Sequence, residues 1–267
     1  MILLVLTLSS CARPDWGDTL QDEAAIGNER QLLATMVAAD EKCPLCHDTD
    51  VNLTLKSPLK DAAASGYLLL RRPSWIKFVS STPFGQPILL VTSDGTQFQQ
   101  LLMLQKTYFH GQVFSYLAHN DLPVALALGN WGSWLTGGTG QIKVEKTEVR
   151  PDRKQRGLWF AWQLPSLSAT RGITENDLWE HILIDTGKRL LLARVISRGS
   201  DKTIVRFDYG NRAADGPCPQ PEEIVISGFE GGGVITLVFS DPRTPAECPE
   251  DFFRLKKPES FQEFYMP

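Results

Sequence analysis

The sequence has no excess of positive charge and, beyond its first residues, no long hydrophobic run. Its 267 residues carry a formal net charge of −4, which gives no electrostatic reason to expect a nucleic-acid partner. No later apolar stretch approaches the roughly 20 residues that a membrane-spanning helix requires. Internal repeats and low-complexity linkers are also absent from the sequence. These absences predict one globular domain, and a chain of this length can bury a sizeable core.

Sequence signatures of catalysis and of metal binding are missing as well. The histidines at 47, 110, 119 and 181 have no spacing typical of a metal site. The sequence lacks a Gly-x-Ser-x-Gly elbow, and the glycines at 231–233 are not followed by the Lys-Ser/Thr pair of a phosphate-binding loop. We therefore expect a protein that is not an enzyme and that holds no metal ion.

The chain begins with a short apolar run that ends in Leu8-Ser9-Ser10-Cys11. This run has the length of the hydrophobic region of a signal peptide and is too short to cross a bilayer. Small residues that end at a cysteine resemble the lipobox of bacterial lipoprotein precursors, and an ordinary hydrophobic first strand would not explain them. The resemblance implies that residues 1–10 are a signal peptide, that Cys11 becomes the acylated N-terminus, and that residues 11–21 form a linker.

Four further cysteines, an even number, permit two disulfides in an oxidising compartment. They are Cys43, Cys46, Cys218 and Cys248, and three pairings are possible. Cys218 and Cys248 flank the last predicted hairpin, so antiparallel pairing of its strands would bring them together. We therefore predict a bond between Cys218 and Cys248.

Cys43-Pro-Leu-Cys46-His47 also matches the pattern for covalent attachment of a c-type haem. In that reading the two cysteines form thioethers and His47 is the axial iron ligand. However, the motif lies in a short link between a predicted helix and a predicted strand, with little apolar sequence beside it. We favour structural disulfides without a cofactor. A mono-haem electron-transfer protein and a thiol-redox role for these cysteines remain alternatives.

One helix followed by many strands is the dominant pattern. Ile26, Leu33, Met36 and Val37 recur at helical spacing and predict an amphipathic helix over 22–40. A second, shorter helix is predicted at 121–128, with Asp121 as a candidate N-cap. Period-2 patterns and turn signals such as Asp94-Gly95 fill most of the rest. The predicted strands cover 51–55, 66–72, 75–80, 87–93, 97–104, 141–148, 158–164, 179–185, 189–197, 203–209, 223–228 and 234–239, with a short extended piece at 108–109. The prediction is a mainly β fold with helices (α+β), with about eleven antiparallel strands in a single domain, 22–267.

The order of several short motifs resembles the LolA/LolB-like lipoprotein carriers and receptors. A strand ends in Arg71-Arg72-Pro73, a turn follows at Pro83-Phe84-Gly85, a second turn lies at Asp94-Gly95, and Tyr108 comes shortly before a glycine. A later Trp134-Leu135-Thr136-Gly137 segment and a closing hairpin with a short final strand complete the likeness. The resemblance implies an incomplete antiparallel β-barrel that is covered by a helical lid.

In that family the barrel encloses an apolar cavity for the acyl chains of lipoproteins. Holding an acyl chain requires only an apolar surface that excludes water, at about 0.8 kcal/mol per buried CH₂ group. Each large apolar side chain on a strand could equally be ordinary core. The candidate cavity-lining residues are Phe98, Phe160, Trp162, Ile226, Leu237 and Phe239.

Cys11 places the chain with the lipid-anchored receptors of the family, which take lipoproteins from a periplasmic carrier protein. Ala12 and Arg13 follow it without the Asp that retains some lipoproteins at the inner membrane, so the periplasmic face of the outer membrane is expected. In these receptors the position of Phe84 carries a protruding apolar residue, which implies that Pro83, Phe84 and Gly85 form an insertion loop; alternatively, Phe84 folds back onto the barrel. A structural envelope lipoprotein with a solidly packed barrel is a further alternative.

Overall fold

The computed structural model describes residues 14–58, 61–120, 122–164, 177–199, 202–212, 218, 220–229 and 232–267. The predicted signal peptide, Cys11 and the candidate N-cap Asp121 lie outside the described residues. Within those ranges, no helix is both long enough and apolar enough to cross a membrane.

A single open sheet dominates the described chain and contains fourteen strands. Its order is β14-β6-β5-β4-β3-β2-β1-β13-β12-β11-β10-β9-β8-β7. Neighbouring strands are antiparallel, except that β14 runs parallel to β6. The predicted mainly β fold with an incomplete barrel is confirmed, but the number of strands is fourteen and not about eleven. The strands are β1 Cys46–Lys56, β2 Ala62–Arg71, β3 Trp75–Ser81, β4 Pro87–Ser93, β5 Gln97–Leu102, β6 Thr107–Gln112, β7 Glu148–Pro151, β8 Leu158–Gln163, β9 Leu178–Asp185, β10 Leu190–Arg198, β11 Lys202–Arg212, β12 Pro221–Ser227, β13 Val234–Arg243 and β14 Gln262–Met266.

The long helix, α1, spans Glu23–Asp40 and confirms the helix predicted over 22–40. Asp22 is its N-cap, since its Oδ1 accepts a hydrogen bond of 3.0 Å from the backbone N–H of Ala24. Ile26 and Leu33 are buried on the face that lies on the sheet. The helical spacing of apolar residues therefore identified the buried face correctly.

The second predicted helix, at 121–128, is a 3₁₀ helix and not an α-helix. This stretch contains a 3₁₀ helix over Val124–Leu128, preceded by α2 at Val113–His119 and followed by α3 at Trp131–Leu135. Gly129, with a positive φ of 73°, ends the 3₁₀ helix. A 3₁₀ helix therefore occupies the predicted stretch, and two short α-helices that were not predicted flank it.

Two of the strand predictions also need correction. The predicted strand at 141–148 is wrong, because a 3₁₀ helix occupies Val144–Lys146 and β7 begins only at Glu148. The short final strand that the resemblance implied is present as β14, but no period-2 pattern marked its position, because it has five mostly exposed residues and no buried face. Its partner β6 is longer than the two-residue piece predicted at 108–109.

The sheet has an inner face under the helices and an outer face. Large apolar side chains of the strands and helices form one buried cluster on the inner face. On the outer face, Trp16 covers Trp159, Leu183 and Val195. Residues 14–20 run past the edge strand β7, and Leu20 donates a backbone hydrogen bond of 2.9 Å to Val149. The C-terminal part of the predicted linker is thus packed against the sheet.

Both disulfides join the start of β1 to distant parts of the chain. Cys43 is bonded to Cys218 and Cys46 to Cys248, with Cα–Cα distances of 5.7 and 6.0 Å. All four cysteines are disulfide-bonded as expected, but the predicted pairing of Cys218 with Cys248 is wrong. The prediction considered only the β12–β13 hairpin. Because β1 lies on the other side of β13, the sheet brings Cys46 beside the segment that follows β13.

Candidate functional site

Two sets of turns mark the opposite ends of the strands. Leu89 of β4 pairs with Leu102 of β5, so the β3–β4 turn and the β5–β6 turn lie at the same end of the sheet. We call this the Phe84 end. The starts of β1 and β12 lie at the other end, together with both disulfides, and we call it the disulfide end.

The β3–β4 turn holds Phe84 outward. The backbone N–H of Gly85 donates to the carbonyl of Thr82 at 2.9 Å, and the N–H of Thr82 donates to the carbonyl of Gln86 at 2.8 Å. Gly85 has a φ of 79°, which a side-chain-bearing residue would adopt only at a cost. Phe84 lies between the hydrogen-bonded residues Thr82 and Gly85, and its side chain is 92% exposed. It does not fold back onto the end of the barrel.

A second apolar tip was missed by the sequence analysis. Leu104 lies on the β5–β6 turn and is 82% exposed. The N–H of Met103 donates to the carbonyl of Ile88 at 3.0 Å, which ties this turn to the start of β4. The predicted strand at 97–104 included Leu104, but β5 ends at Leu102. The missed signal was an apolar residue just before the turn residues Gln105 and Lys106.

The six predicted cavity-lining residues all contact the inner-face cluster. Four of them are fully buried members and two, Trp162 and Phe239, are partly buried against it. Leu33 of α1 and Trp134 of α3 belong to the same cluster. The structure therefore brings the predicted residues together as packed side chains under the helices. The four fully buried residues are Phe98, Phe160, Ile226 and Leu237.

A buried ion pair attaches the loop after α3 to the inner face. Arg194 of β10 is paired with Glu180 of β9 and donates a 2.6 Å hydrogen bond to the carbonyl oxygen of Gly138. Its guanidinium also lies 5.7 Å from the ring centre of Trp134. This pair was not predicted, although both charged residues fall on the apolar face of predicted strands.

A cavity of about 500 Å³ opens at the disulfide end. The C-terminal half of α1, the start of β1, the loop after α3 and the β9–β10 turn form its walls. None of the six predicted cavity-lining residues is among its lining residues. Asp40 and Arg72 lie in its wall, with 3.0 Å between Asp40 Oδ2 and Arg72 Nη2. Because these elements are far apart in sequence, no local pattern indicates the cavity.

His47 and the two neighbouring cysteines are occupied by other partners. His47 is 3% exposed, with its Nε2 3.0 Å from the carbonyl oxygen of Pro44 and its Nδ1 in contact with Gln220. Burial lowers its pKa, and the nearby guanidinium of Arg72 acts in the same direction. A disulfide sulfur cannot form a thioether, so haem attachment would require both disulfides to be absent.

His181 is buried on the outer face beneath Trp16. Their ring centres are 4.1 Å apart and nearly parallel, and the His181 Nε2 lies 2.9 Å from Ser197 Oγ. Burial lowers the pKa of His181 to about 3, with a smaller effect from Arg150. This histidine therefore stays neutral in the folded protein at any pH above that value.

We expect the protein to lose stability as the pH falls from 6.5 towards 3. Over that range the unfolded chain protonates His181 while the folded protein does not, so the unfolded state binds more protons and the free energy of unfolding falls. One such group contributes a slope of up to about 1.4 kcal/mol per pH unit. Urea unfolding between pH 4.5 and 6 should show a shallower slope in His181→Gln. An unchanged slope would contradict the assignment.

Three solved structures share this arrangement of sheet and helices. A LolA superfamily protein from Nitrosomonas europaea is 10% identical, with a TM-score of 0.52 over 84% of this chain and 97% of that chain. A DUF1329 family protein from Desulfovibrio piger is 10% identical, with a TM-score of 0.55 over 86% and 97%. A Vibrio parahaemolyticus domain described as an outer membrane lipoprotein-sorting protein is 12% identical, with a TM-score of 0.50 over 86% and 94%.

No protein-family model matches the sequence, and no curated protein matches it. The likeness to solved structures, at 10–12% identity, concerns the fold. It agrees with the order of motifs from Arg71-Arg72-Pro73 to the closing hairpin, and it confirms the incomplete barrel that those motifs implied. The chain shares its fold with this LolA superfamily protein.

Proposed function

We propose that this chain is a lipid-anchored protein of the periplasmic face of the outer membrane that binds the acyl chains of lipoproteins and helps to insert them into that membrane. Cys11 would carry the anchor, and a periplasmic carrier would deliver the lipoprotein. The lipobox-like start of the sequence supports the anchor. The fold is shared with a LolA superfamily protein and with a lipoprotein-sorting domain, which supports the proposal that lipoproteins are the cargo.

The observation that carries the proposal is the outward Phe84 on a hydrogen-bonded turn. A large apolar side chain that water surrounds is unfavourable unless a partner receives it. Leu104 lies at the same end, roughly 10 Å away if two strand spacings separate the turns. Two apolar tips on neighbouring turns present a small surface that can enter the lipid interface while the strands hold its shape.

The inner face offers the apolar surface for an acyl chain. In the present arrangement the side chains of the helices fill it, so an acyl chain would have to displace part of the cover. The segments α2 and α3 have seven and five residues, and helices this short have little stability without tertiary packing. They can therefore shift at a lower cost than α1, and each CH₂ group that enters would gain about 0.8 kcal/mol.

Phe84→Glu should block delivery of lipoproteins to membranes while leaving the fold intact. The side chain already lies in water, so the substitution should change the free energy of unfolding by less than about 0.5 kcal/mol. A carboxylate at the tip would oppose insertion, since burying an unpaired charge is costly. The measurement is transfer of a labelled lipoprotein to liposomes, with accumulation of unsorted lipoproteins as the readout in cells.

Leu45→Glu is the matched control. Leu45 is also exposed, at 61%, but it precedes β1 at the disulfide end. Its substitution adds the same charge to an apolar surface position and should leave transfer unchanged. Normal transfer by a stable Phe84→Glu protein would remove the turn from the mechanism, and a large loss of melting temperature would show that Phe84 is part of the core.

A structural envelope lipoprotein is the second candidate function. The close packing of Phe98, Phe160, Ile226 and Leu237 under the helices favours it, because a packed inner face has no space for cargo. Mass spectrometry of lipids that copurify with the chain, combined with the transfer assay, separates the two candidates. Bound acyl chains together with transfer of lipoprotein to liposomes would support the carrier role, whereas a chain that fails in transfer would support the structural one, even if a lipid occupies the cavity at the disulfide end.

Neither function uses a catalytic group or a cofactor, and we propose that the chain is not an enzyme. Its buried histidine–serine contact, between His181 and Ser197, lies beneath Trp16 and has no access for a substrate. Cys43 and Cys46 are used in disulfides that clamp the start of β1. These contacts support a structural role for the residues that otherwise suggest chemistry.

A further inference from the structure

The cavity at the disulfide end has an uneven distribution of charge. Among its lining residues, Arg72, Lys188 and Arg189 are cations and Asp40 is the one carboxylate. Lys188 and Arg189 are exposed on the β9–β10 turn and form no ion pair within the described part of the chain. Asp40 is already engaged, since it pairs with Arg72 and accepts a 3.1 Å hydrogen bond from Thr139 Oγ1. The cavity therefore carries an excess of positive charge at its rim.

One buried donor in the wall also lacks a partner. Arg72 directs one terminal nitrogen, Nη1, to the carbonyl of Asp40 and the other to its carboxylate, both at 3.0 Å. Its Nε is buried and, among the described residues, has no hydrogen-bond acceptor. An unsatisfied buried N–H is costly and calls for an acceptor. An anionic oxygen would serve best, because charge-assisted hydrogen bonds are the stronger ones. Since Nε exposes no surface to the cavity, such an oxygen would reach it only if the Arg72 side chain shifted on binding.

Much of the remaining wall is apolar, although Thr35, Thr136 and Gln220 also line the cavity. Met36 and Ala39 of α1 lie on one side, and Leu190 and Leu191 of β10 lie on the other. A volume of about 500 Å³ is within the range of small-molecule sites, which typically measure about 300–1,000 Å³. A free inorganic anion would leave this apolar wall without a partner. A molecule with both an anionic group and a hydrocarbon segment matches the cationic and the apolar parts of the lining.

We propose that this cavity binds an anionic amphiphile, with its carboxylate or phosphate group at Arg72, Lys188 and Arg189 and its hydrocarbon against Met36 and Leu191. The cavity lies away from the Phe84 end, and none of the six residues predicted to hold acyl chains lines it, although Leu191 belongs to the same inner-face cluster. Its ligand can therefore be measured without any assay of lipoprotein sorting. Failure of one proposal would leave the other standing.

Calorimetry with the full-length, unacylated Cys11→Ser chain tests the site. The probes are lysophosphatidylglycerol, zwitterionic lysophosphatidylcholine and inorganic phosphate, with both lipids below their micelle concentrations. We expect lysophosphatidylglycerol to bind at least tenfold more tightly than lysophosphatidylcholine. Raising the salt concentration should weaken its binding, because exposed charges are screened. Inorganic phosphate should bind weakly and compete poorly.

The double variant Lys188→Glu/Arg189→Glu should bind lysophosphatidylglycerol at least fivefold more weakly than the parent chain. The matched control is Lys56→Glu/Lys202→Glu, which makes the same change in net charge at exposed positions near the Phe84 end. Equal weakening by both variants would overturn the proposal, as would equal affinity for the two lysolipids. Phosphate binding as tight as that of lysophosphatidylglycerol would show an anion site without a lipid role and would also overturn it.

Discussion

Reduction of both disulfides is expected to lower the free energy of unfolding by about 8–9 kcal/mol, the largest effect that the structure predicts. In the chain-entropy model, Cys43–Cys218 alone closes a loop of 175 residues and contributes about 5 kcal/mol. Once it is closed, Cys46–Cys248 adds a loop of only about 33 residues and contributes about 3–4 kcal/mol. Whole domains are stable by about 5–15 kcal/mol, so the reduced protein should be largely unfolded at moderate temperature.

The two disulfides should not act additively. Cys43→Ser/Cys218→Ser and Cys46→Ser/Cys248→Ser should each cost only about 3–4 kcal/mol, because the remaining bond still closes the long loop. Removing the second bond should then cost about 5 kcal/mol. Urea unfolding of the two paired variants and of the fourfold variant measures each step. Equal costs at both steps would contradict the loop argument, and peptide mapping that finds Cys218 joined to Cys248 would contradict the pairing.

Glu180→Ala is expected to destabilise the protein by about 3–5 kcal/mol. Arg194 is buried against it, and removal of one partner leaves an uncompensated charge in the core. The backbone carbonyls that Arg194 also contacts cannot neutralise that charge. Urea unfolding gives the change, and loss of the Arg194 contact to the Gly138 carbonyl should loosen the loop after α3.

Glu180→Leu/Arg194→Met is the control for this pair. Replacing both partners with apolar residues of similar size removes the charge problem, so the double variant should be more stable than Glu180→Ala. A double-mutant cycle with Glu180→Leu and Arg194→Met as the single variants isolates the interaction between the two side chains. If Glu180→Ala were no less stable than the double variant, the ion pair would not be the reason for the burial of Arg194.

The sequence predicted those parts of the fold that depend on local pattern. The strands from β2 to β5 are within a few residues of their predictions because alternating apolar residues and turns such as Asp94-Gly95 mark them. The helix over 22–40 was likewise indicated by its apolar spacing. In contrast, the 3₁₀ helix at Val144–Lys146 and the exposed strand β14 lack a periodic buried face.

Features that depend on distant contacts could not be predicted in the same way. The disulfide pairing follows from the position of β1 beside β13, which joins residues nearly two hundred positions apart. The cavity at the disulfide end requires α1, β1 and the β9–β10 turn to meet. The candidate site was predicted where it is local: Phe84 was recognised from its turn, while Leu104 was missed by an error of two residues in the end of β5.

If Cys11 carries the proposed lipid anchor, the burial of Trp16 would limit how the folded domain moves relative to the membrane. Trp16 is fixed against Trp159 and His181 on the outer face, and only five residue steps separate it from Cys11. A chain of that length reaches at most about 18 Å. With the acylation proposed for Cys11, the segment between Cys11 and Trp16 would be a short tether that keeps the folded domain close to the membrane. The body would reach the lipid surface by swinging about Trp16, so lengthening this segment should alter the angle at which the Phe84 end meets the bilayer.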